Sequence, residues 1–163
     1  MNMTHRISIE RNPLRFAAAH MATFGGKVEP LHGHNYEVIV HIAGALSADS
    51  WVIDFGEAQR LVRDICLGLD HRLILAAQSK LMRIAEESGV VTILTNAEKR
   101  YVVPTSDVVL LDTDNTTSER IAEWFAGRLA EALADAGATN LTSLTVGLAA
   151  MPGQARRFTR PRG

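Results

Sequence analysis

Two histidines separated by a single glycine stand at the start of the most strand-like run of the chain. The run from His34 to Gly44 is rich in β-branched residues, which favour a strand. In an extended chain, alternate side chains point to the same face of the sheet, so His32 and His34 would lie on one side. His20 ends another apolar run, and the eleven residues 21–31 form a loop long enough to bring it back beside the pair.

This spacing predicts a metal site. Three neutral imidazoles meeting at one point are the protein ligands of a catalytic zinc, whose fourth position is left to water or substrate. A structural zinc more often uses cysteine, and the chain has only Cys66. We therefore expect His20, His32 and His34 to bind Zn²⁺. The same spacing also fits three unrelated polar histidines at the mouth of a loop, so both interpretations stay open.

Length and charge narrow the class of protein. The chain has 163 residues, of which 47% are hydrophobic, and this is enough to form one domain over residues 1–163 with a real core. A net charge of −1 gives no reason to expect nucleic acid or a membrane surface as a partner. Without a signal-peptide-like start, a membrane span or a disulfide framework, the sequence predicts a cytoplasmic protein. Cys66 falls in an apolar run, which favours a buried thiol over a nucleophile.

Hydrophobic spacing divides the chain into strand-rich blocks that are each followed by a helix. Helical spacing predicts helices over 56–69 and 117–136, and Thr117 or Ser118 can cap the second. The remaining apolar runs predict strands, at residues 6–10, 14–20, 51–55, 108–111 and 141–148. This pattern indicates an α+β domain in which helices cover one face of an antiparallel sheet. The exposed sheet edges favour oligomerisation.

Three further segments lie outside these elements. Val90 to Val103 predicts a hairpin with a polar turn. Residues 82–88 fit either a short strand or a helical turn. The basic tail at residues 156–162 is expected to fray.

A zinc site of this kind needs separate groups that move protons. Glu29 lies three residues before His32, in the loop that must fold over the metal. Asp70 and His71 form a carboxylate–imidazole pair at a helix end, where a histidine can act as a proton shuttle. Glu29 could equally be a solvated loop carboxylate. The pair at 70–71 could equally be a helix C-terminal turn in which His71 meets the negative end of the dipole.

Several motifs together resemble one enzyme family, the 6-pyruvoyl-tetrahydropterin and 6-carboxy-tetrahydropterin synthases. They occur in the family's order and are Phe16-x-Ala18-x-His20, His32-Gly33-His34-Asn35-Tyr36, Trp51-Val52-Ile53-Asp54-Phe55, Leu69-Asp70-His71 and Asn115-Thr116-Thr117-Ser118-Glu119. The resemblance runs from about Arg6 to Val146. It implies the tunnelling fold, a four-stranded antiparallel sheet with two helices, assembled into homo-oligomers that are often hexamers. The predicted hairpin lies in additional length between His71 and Asn115.

The resemblance also implies a function and its residues. The three histidines would bind zinc, Asp70 and His71 would be the catalytic pair, and Thr117, Ser118 and Glu119 would line a pterin pocket. The active sites would lie at subunit interfaces and bind a small-molecule substrate of the dihydroneopterin triphosphate type. The expected activity is that of a zinc-dependent carbon–oxygen or carbon–carbon lyase.

Two departures from the family pattern bear on the substrate. The loop before His32 lacks the family's catalytic cysteine and carries Glu29, which resembles a branch that cleaves the dihydroneopterin side chain by a retro-aldol reaction. The last strand has Leu148 where the family pattern suggests a ring-anchoring glutamate. Leu148 cannot accept a hydrogen bond, which leaves open a different purine- or pterin-like substrate. A non-catalytic, zinc-containing ligand-binding oligomer is the third possibility.

Overall fold

A computed structural model describes residues 4–10, 14–151 and 154–161 of the chain. The described residues form twelve strands and two α-helices. The helices are α1 (Phe55–Leu69) and α2 (Ser118–Asp135). The strands are β1 (His5–Ile9), β2 (Arg15–His20), β3 (Thr23–Phe24), β4 (Lys27–Val28), β5 (His32–Gly44), β6 (Arg72–Ala76), β7 (Met82–Glu87), β8 (Val90–Thr95), β9 (Arg100–Pro104), β10 (Val108–Leu111), β11 (Leu141–Met151) and β12 (Gln154–Pro161).

The long strand β5 organises the main sheet. It pairs antiparallel with β2 along its first half, with β1 along its second half, and with β11 along its other edge. The sheet continues beyond β2 through β6 and β10, and beyond β11 through β12, to a total of seven strands. The sheet therefore has more strands than the four that were expected. It is also not purely antiparallel, since β6 pairs parallel with β2 and β10 pairs parallel with β6. Helix α1 connects β5 to β6, and a helical crossover can return the chain in a parallel direction.

Both helices pack on one face of this sheet, as the α+β pattern predicts. Helix α1 begins after Asp54, whose carboxylate accepts a hydrogen bond from the Glu57 N–H at 2.7 Å. Helix α2 begins after Thr117, whose hydroxyl accepts a hydrogen bond from the Arg120 N–H. The shared core includes Cys66, and burial raises the pKa of this thiol to about 12. The expected buried cysteine is therefore confirmed.

The segment between β6 and β10 forms a small sheet of its own. The predicted hairpin is present as β8 and β9, and residues 82–87 add β7 as a third strand. Of the two alternatives for residues 82–88, a short strand or a helical turn, the structure has the strand. This inserted sheet packs on a second apolar cluster made of Met21, Leu73, Leu75, Met82, Val91 and Ile93.

Two local predictions were wrong. Residues 51–54 form a bend that leads into α1, because Asp54 is taken up as the helix cap. The basic tail does not fray over residues 154–161, where it forms β12 and pairs with β11; residue 162 lies outside the described part. Charged side chains suit an edge strand, since they discourage further pairing. Neither α1 nor α2, the helices of the described part, is long and apolar enough to cross a membrane.

Candidate metal centre and active site

The three predicted histidines come together at one end of β2 and β5. In the register of these strands His20 pairs with His32, and Ala18 pairs with His34, so all three imidazoles lie on the same face. The ring centroids are 4.5 to 5.3 Å apart. One nitrogen from each ring lies within 4.8 Å of the others. This spacing suits three ligands of a single ion.

Backbone carbonyls orient two of these rings. Nδ1 of His20 donates to the carbonyl oxygen of Thr116 at 2.8 Å, and Nδ1 of His32 donates to the carbonyl oxygen of Pro30 at 2.8 Å. Because a carbonyl only accepts, Nδ1 of each ring carries the proton and Nε2 keeps its lone pair. Metal-binding histidines are held in this way in many proteins.

Nε2 of His20 provides a second indication of a ligand. This atom is buried and has no hydrogen-bond partner among the described residues. A buried polar atom without a partner is costly, unless a bound group satisfies it. The donor set therefore fits a divalent cation of the zinc type, for which neutral imidazole is a common ligand.

The electrostatic surroundings favour neutral rings. Burial lowers the pKa of His20, and the neighbouring His32 and His34 lower it further, against the opposing effects of the Thr116 carbonyl and Glu29. Burial and His32 likewise lower the pKa of His34, while Glu29 opposes the shift. Metals bind the neutral form of imidazole, so the cluster is prepared for a cation before it arrives.

Glu29 lies beside this cluster on a short hairpin. Strands β3 and β4 pair directly and are joined by Gly25 and Gly26, both with positive φ, in a two-residue turn. The Glu29 N–H donates to the Ala22 carbonyl at 2.8 Å and extends the hairpin by one more bond. The side chain of Glu29 is exposed, and its charge acts on both His20 and His34. Glu29 is thus close enough to the imidazole cluster for its charge to act on two of the rings.

Asp70 and His71 form a close pair at the end of α1. A carboxylate oxygen of Asp70 lies 2.8 Å from Nδ1 of His71, and the other accepts the Ala17 N–H at 2.8 Å. The Ala17 N–H, followed by His71, lowers the pKa of Asp70. The His71 N–H in turn donates to the Ala17 carbonyl at 2.7 Å. Asp70 thus ends helix α1 and at the same time holds the imidazole of His71.

The pair at 70–71 is not part of the group of described side chains whose ligand atoms lie within 4.8 Å of one another. His71 lines a cleft of about 470 Å³ whose other lining residues include Ala17, Ala19, Gly33 and His34. These small residues alternate with His20 and the other ligands along β2 and β5, so they face the opposite side of the sheet. The structure therefore separates two groups that the sequence alone would place in one site.

The segment 117–119 begins helix α2 directly after Thr116, the residue whose carbonyl contacts His20. Thr117 caps α2, and Ser118 is the first residue of that helix. Glu119 is exposed and forms an ion pair with Nε of Arg156 on β12 at 2.9 Å. The link from this segment to the imidazoles is the Thr116 carbonyl, a backbone group that sequence reasoning did not single out.

The sequence model for 6-pyruvoyl tetrahydropterin synthase matches residues 8–150. The chain belongs to the 6-pyruvoyl tetrahydropterin synthase family. Its activity is thus of the tetrahydropterin synthase class, and the members of this family are lyases.

Relatives and solved structures agree with this family. A putative 6-carboxy-5,6,7,8-tetrahydropterin synthase of Methanocaldococcus jannaschii is 34% identical over 137 residues, which cover 83% of each chain. The 6-pyruvoyl tetrahydropterin synthase of Plasmodium vivax superposes with a TM-score of 0.90 at 28% identity, over 98% of this chain and 99% of that one. A variant of that enzyme, described as altered at a catalytic glutamate, superposes equally well at 27% identity. The predicted tunnelling fold is confirmed by these superpositions.

Leu148, which departs from the family pattern, lies on β11. Its side chain is fully buried in the core between the sheet and α2. The Leu148 side chain packs against the core. Ala149 and Ala150, which follow it, line a cleft of about 880 Å³ together with Asp70 and His71. Leu148 therefore contributes apolar packing to the core and offers no hydrogen-bond acceptor.

Proposed function

We propose that this chain is a zinc-dependent lyase that acts on the side chain of a dihydroneopterin-like substrate, with the triphosphate as the first candidate. The observation that carries the proposal is the cluster of three imidazoles, two of them oriented through Nδ1 by backbone carbonyls. Family membership supplies the reaction class, and the donor set favours zinc. When bound, the zinc would supply a Lewis acid that stabilises negative charge on a substrate oxygen.

Glu29 is the proposed general base. Its carboxylate takes the proton of a side-chain hydroxyl, the adjacent carbon–carbon bond breaks, and that oxygen becomes a carbonyl. The carbon that remains on the ring then takes up a proton. The catalytic glutamate described for the Plasmodium vivax enzyme supports a carboxylate in this role. A thiol nucleophile is not needed for this step, which agrees with the buried position of Cys66.

Asp70 and His71 are the proposed source of the returning proton. The carboxylate of Asp70 fixes Nδ1 of His71 at 2.8 Å, and this leaves the other ring nitrogen free to exchange a proton. Because His71 faces the opposite side of the sheet from His20, we propose that a complete site combines the imidazole cluster of one copy with the pair of another. The protein would then be a homo-oligomer, with the hexamer as the expected size, in the cytoplasm.

A second candidate is a related ring substrate. Thr117, Ser118 and Glu119 are the proposed ring-binding segment, but Arg156 already occupies the carboxylate of Glu119 at 2.9 Å. A ring that binds this carboxylate must share it with Arg156 or displace this arginine. A purine- or pterin-like ring with an anionic substituent would instead meet both charges at once.

The direct test is turnover by the zinc-loaded protein. We expect incubation with dihydroneopterin triphosphate to yield a ring product with a shortened side chain. Liquid chromatography with mass spectrometry would detect this product. Wild-type protein with about one zinc per chain that leaves this substrate intact would exclude it and favour the second candidate. Protein that binds no zinc and no pterin would contradict both.

A further inference from the structure

We infer that Asn96, on the inserted sheet, is a positioning residue that holds the β3–β4 hairpin and thereby fixes Glu29 against the imidazole cluster. This inference depends on the proposed role of Glu29 as general base. It assigns a task to the inserted sheet, whose strands carry none of the predicted site residues.

The hairpin needs support from outside. Its strands contain two residues each, which is too short for a hairpin to be stable alone. Phe24, one of these four residues, is 82% exposed and adds almost no packing. Glu29 follows β4 directly, so any motion of the hairpin would move its carboxylate relative to His20.

Asn115 holds the base of the hairpin. Its side-chain oxygen accepts the Thr23 N–H at 2.8 Å, and its side-chain nitrogen donates to the Thr23 carbonyl at 3.0 Å. The next residue, Thr116, orients His20 through its carbonyl. One short segment therefore ties the base of the hairpin to a member of the cluster.

Asn96 holds the tip. Its side-chain nitrogen donates to the carbonyl oxygen of Gly26 at 2.9 Å. Its own backbone is fixed because its N–H donates to the Leu81 carbonyl at 2.9 Å, next to the start of β7. The inserted sheet thus contacts the turn of the hairpin through a side chain that is itself anchored.

Apolar packing supports the same arrangement. Val28, immediately before Glu29, packs against the second cluster, which includes Met82 and Ile93 of the inserted sheet. Met21, immediately after His20, belongs to this cluster and is buried. The inserted sheet therefore supports both ends of the loop that joins the first ligand to the proposed base.

The test compares Asn96→Asp with the wild-type protein. Aspartate keeps the size of the side chain, but it loses the donor and places a negative charge against the Gly26 carbonyl. We expect kcat to fall roughly 10- to 100-fold, with unchanged KM and zinc content, because small misplacement of a catalytic group has effects of this size. Hydrogen exchange of the Glu29 amide, measured by mass spectrometry, should become faster. Asn96→Gln keeps an amide donor and should retain most of the turnover.

Asn140 offers a matched control. Its side-chain nitrogen also donates to backbone carbonyls, those of Ala45 and Val52, but at a distant loop. Asn140→Asp should therefore reduce stability without faster exchange at Glu29 and without a specific loss of kcat. An equal loss of kcat in Asn96→Asp and Asn140→Asp would contradict the inference, because Asn96 would then contribute only to general stability.

The outcomes separate this inference from the proposed function. Unchanged exchange at Glu29 in Asn96→Asp overturns the inference, whatever the activity. Faster exchange with unchanged kcat also overturns it, because Glu29 would then not need to be held. Wild-type protein without turnover instead refutes the proposed function, and the catalytic part of the inference falls with it.

Discussion

Replacing Leu148 by glutamate tests whether this position belongs to the core or to a binding site. Leu148 is fully buried, and its neighbour across the strand pair is Arg156. Burial of a leucine side chain contributes about 1.5–3 kcal/mol, which the substitution removes. The new carboxylate would either be buried with its charge, at a cost of several kcal/mol, or be held neutral by a raised pKa. We expect Leu148→Glu to lose roughly 4–6 kcal/mol of unfolding free energy at pH 7.5.

The sign of the pH dependence follows from the raised pKa. Above the unfolded pKa of about 4.3, the unfolded glutamate is ionised, whereas the folded one resists ionisation. The deficit relative to wild type should therefore grow as the pH rises from 4 to 7.5. Leu148→Gln is the matched neutral control and should show a deficit that does not change over this range. Leu148→Met should lose less than about 1.5 kcal/mol.

Urea unfolding at fixed protein concentration, followed by circular dichroism, measures all three variants. A domain of this size loses about 2–4 °C in melting temperature per kcal/mol, so thermal melts of Leu148→Glu should fall by more than about 8 °C. A Leu148→Glu protein within about 1 kcal/mol of wild type at pH 7.5 would refute the reasoning. Position 148 would then face a polar site, and its role as a ring anchor would return.

Three further predictions concern the site. His32→Ala should reduce bound zinc from about one per chain to almost none in metal analysis, whereas His41→Ala, elsewhere on β5, should keep it. Glu29→Gln should keep zinc but lower kcat about 10²- to 10⁴-fold in the turnover assay, and unchanged kcat would contradict its role as base. Asp70→Asn should lower the unfolding free energy above about pH 5, because the folded carboxylate has a lowered pKa. The difference from wild type should shrink as the pH falls towards 3. A difference that grows in acid would contradict the contacts with Ala17 and His71.

Local patterns predicted those parts of the molecule in which neighbours in sequence are neighbours in space. The alternation of His32 and His34 fixed their common face as soon as β5 formed. The spacing of apolar residues gave α2 nearly to its ends, and Thr117 gave its cap. The turn between β8 and β9 was recognisable from polar residues between two apolar runs.

Contacts between distant segments left no such pattern. The carbonyl that orients His20 belongs to Thr116, ninety-six positions away, and any residue can offer a carbonyl. The parallel pairing of β6 with β2 places His71 on the far side of the sheet from the ligands. Both facts depend on how strands are ordered, which apolar runs of similar length do not reveal. A strand pattern alone also does not say which face is covered by a helix, and this covering is what buries Leu148.

The sealed thiol of Cys66 has a practical consequence for how this protein can be handled and where it can work. Alkylating reagents and peroxide attack the exposed thiolate, whereas residue Cys66 is only 2% exposed and its thiol has a pKa of about 12. We expect the folded protein to keep its activity after treatment with iodoacetamide, and to take up the label only in denaturant. A carboxylate as the reactive base would thus make the enzyme indifferent to oxidants that disable thiol-dependent catalysts.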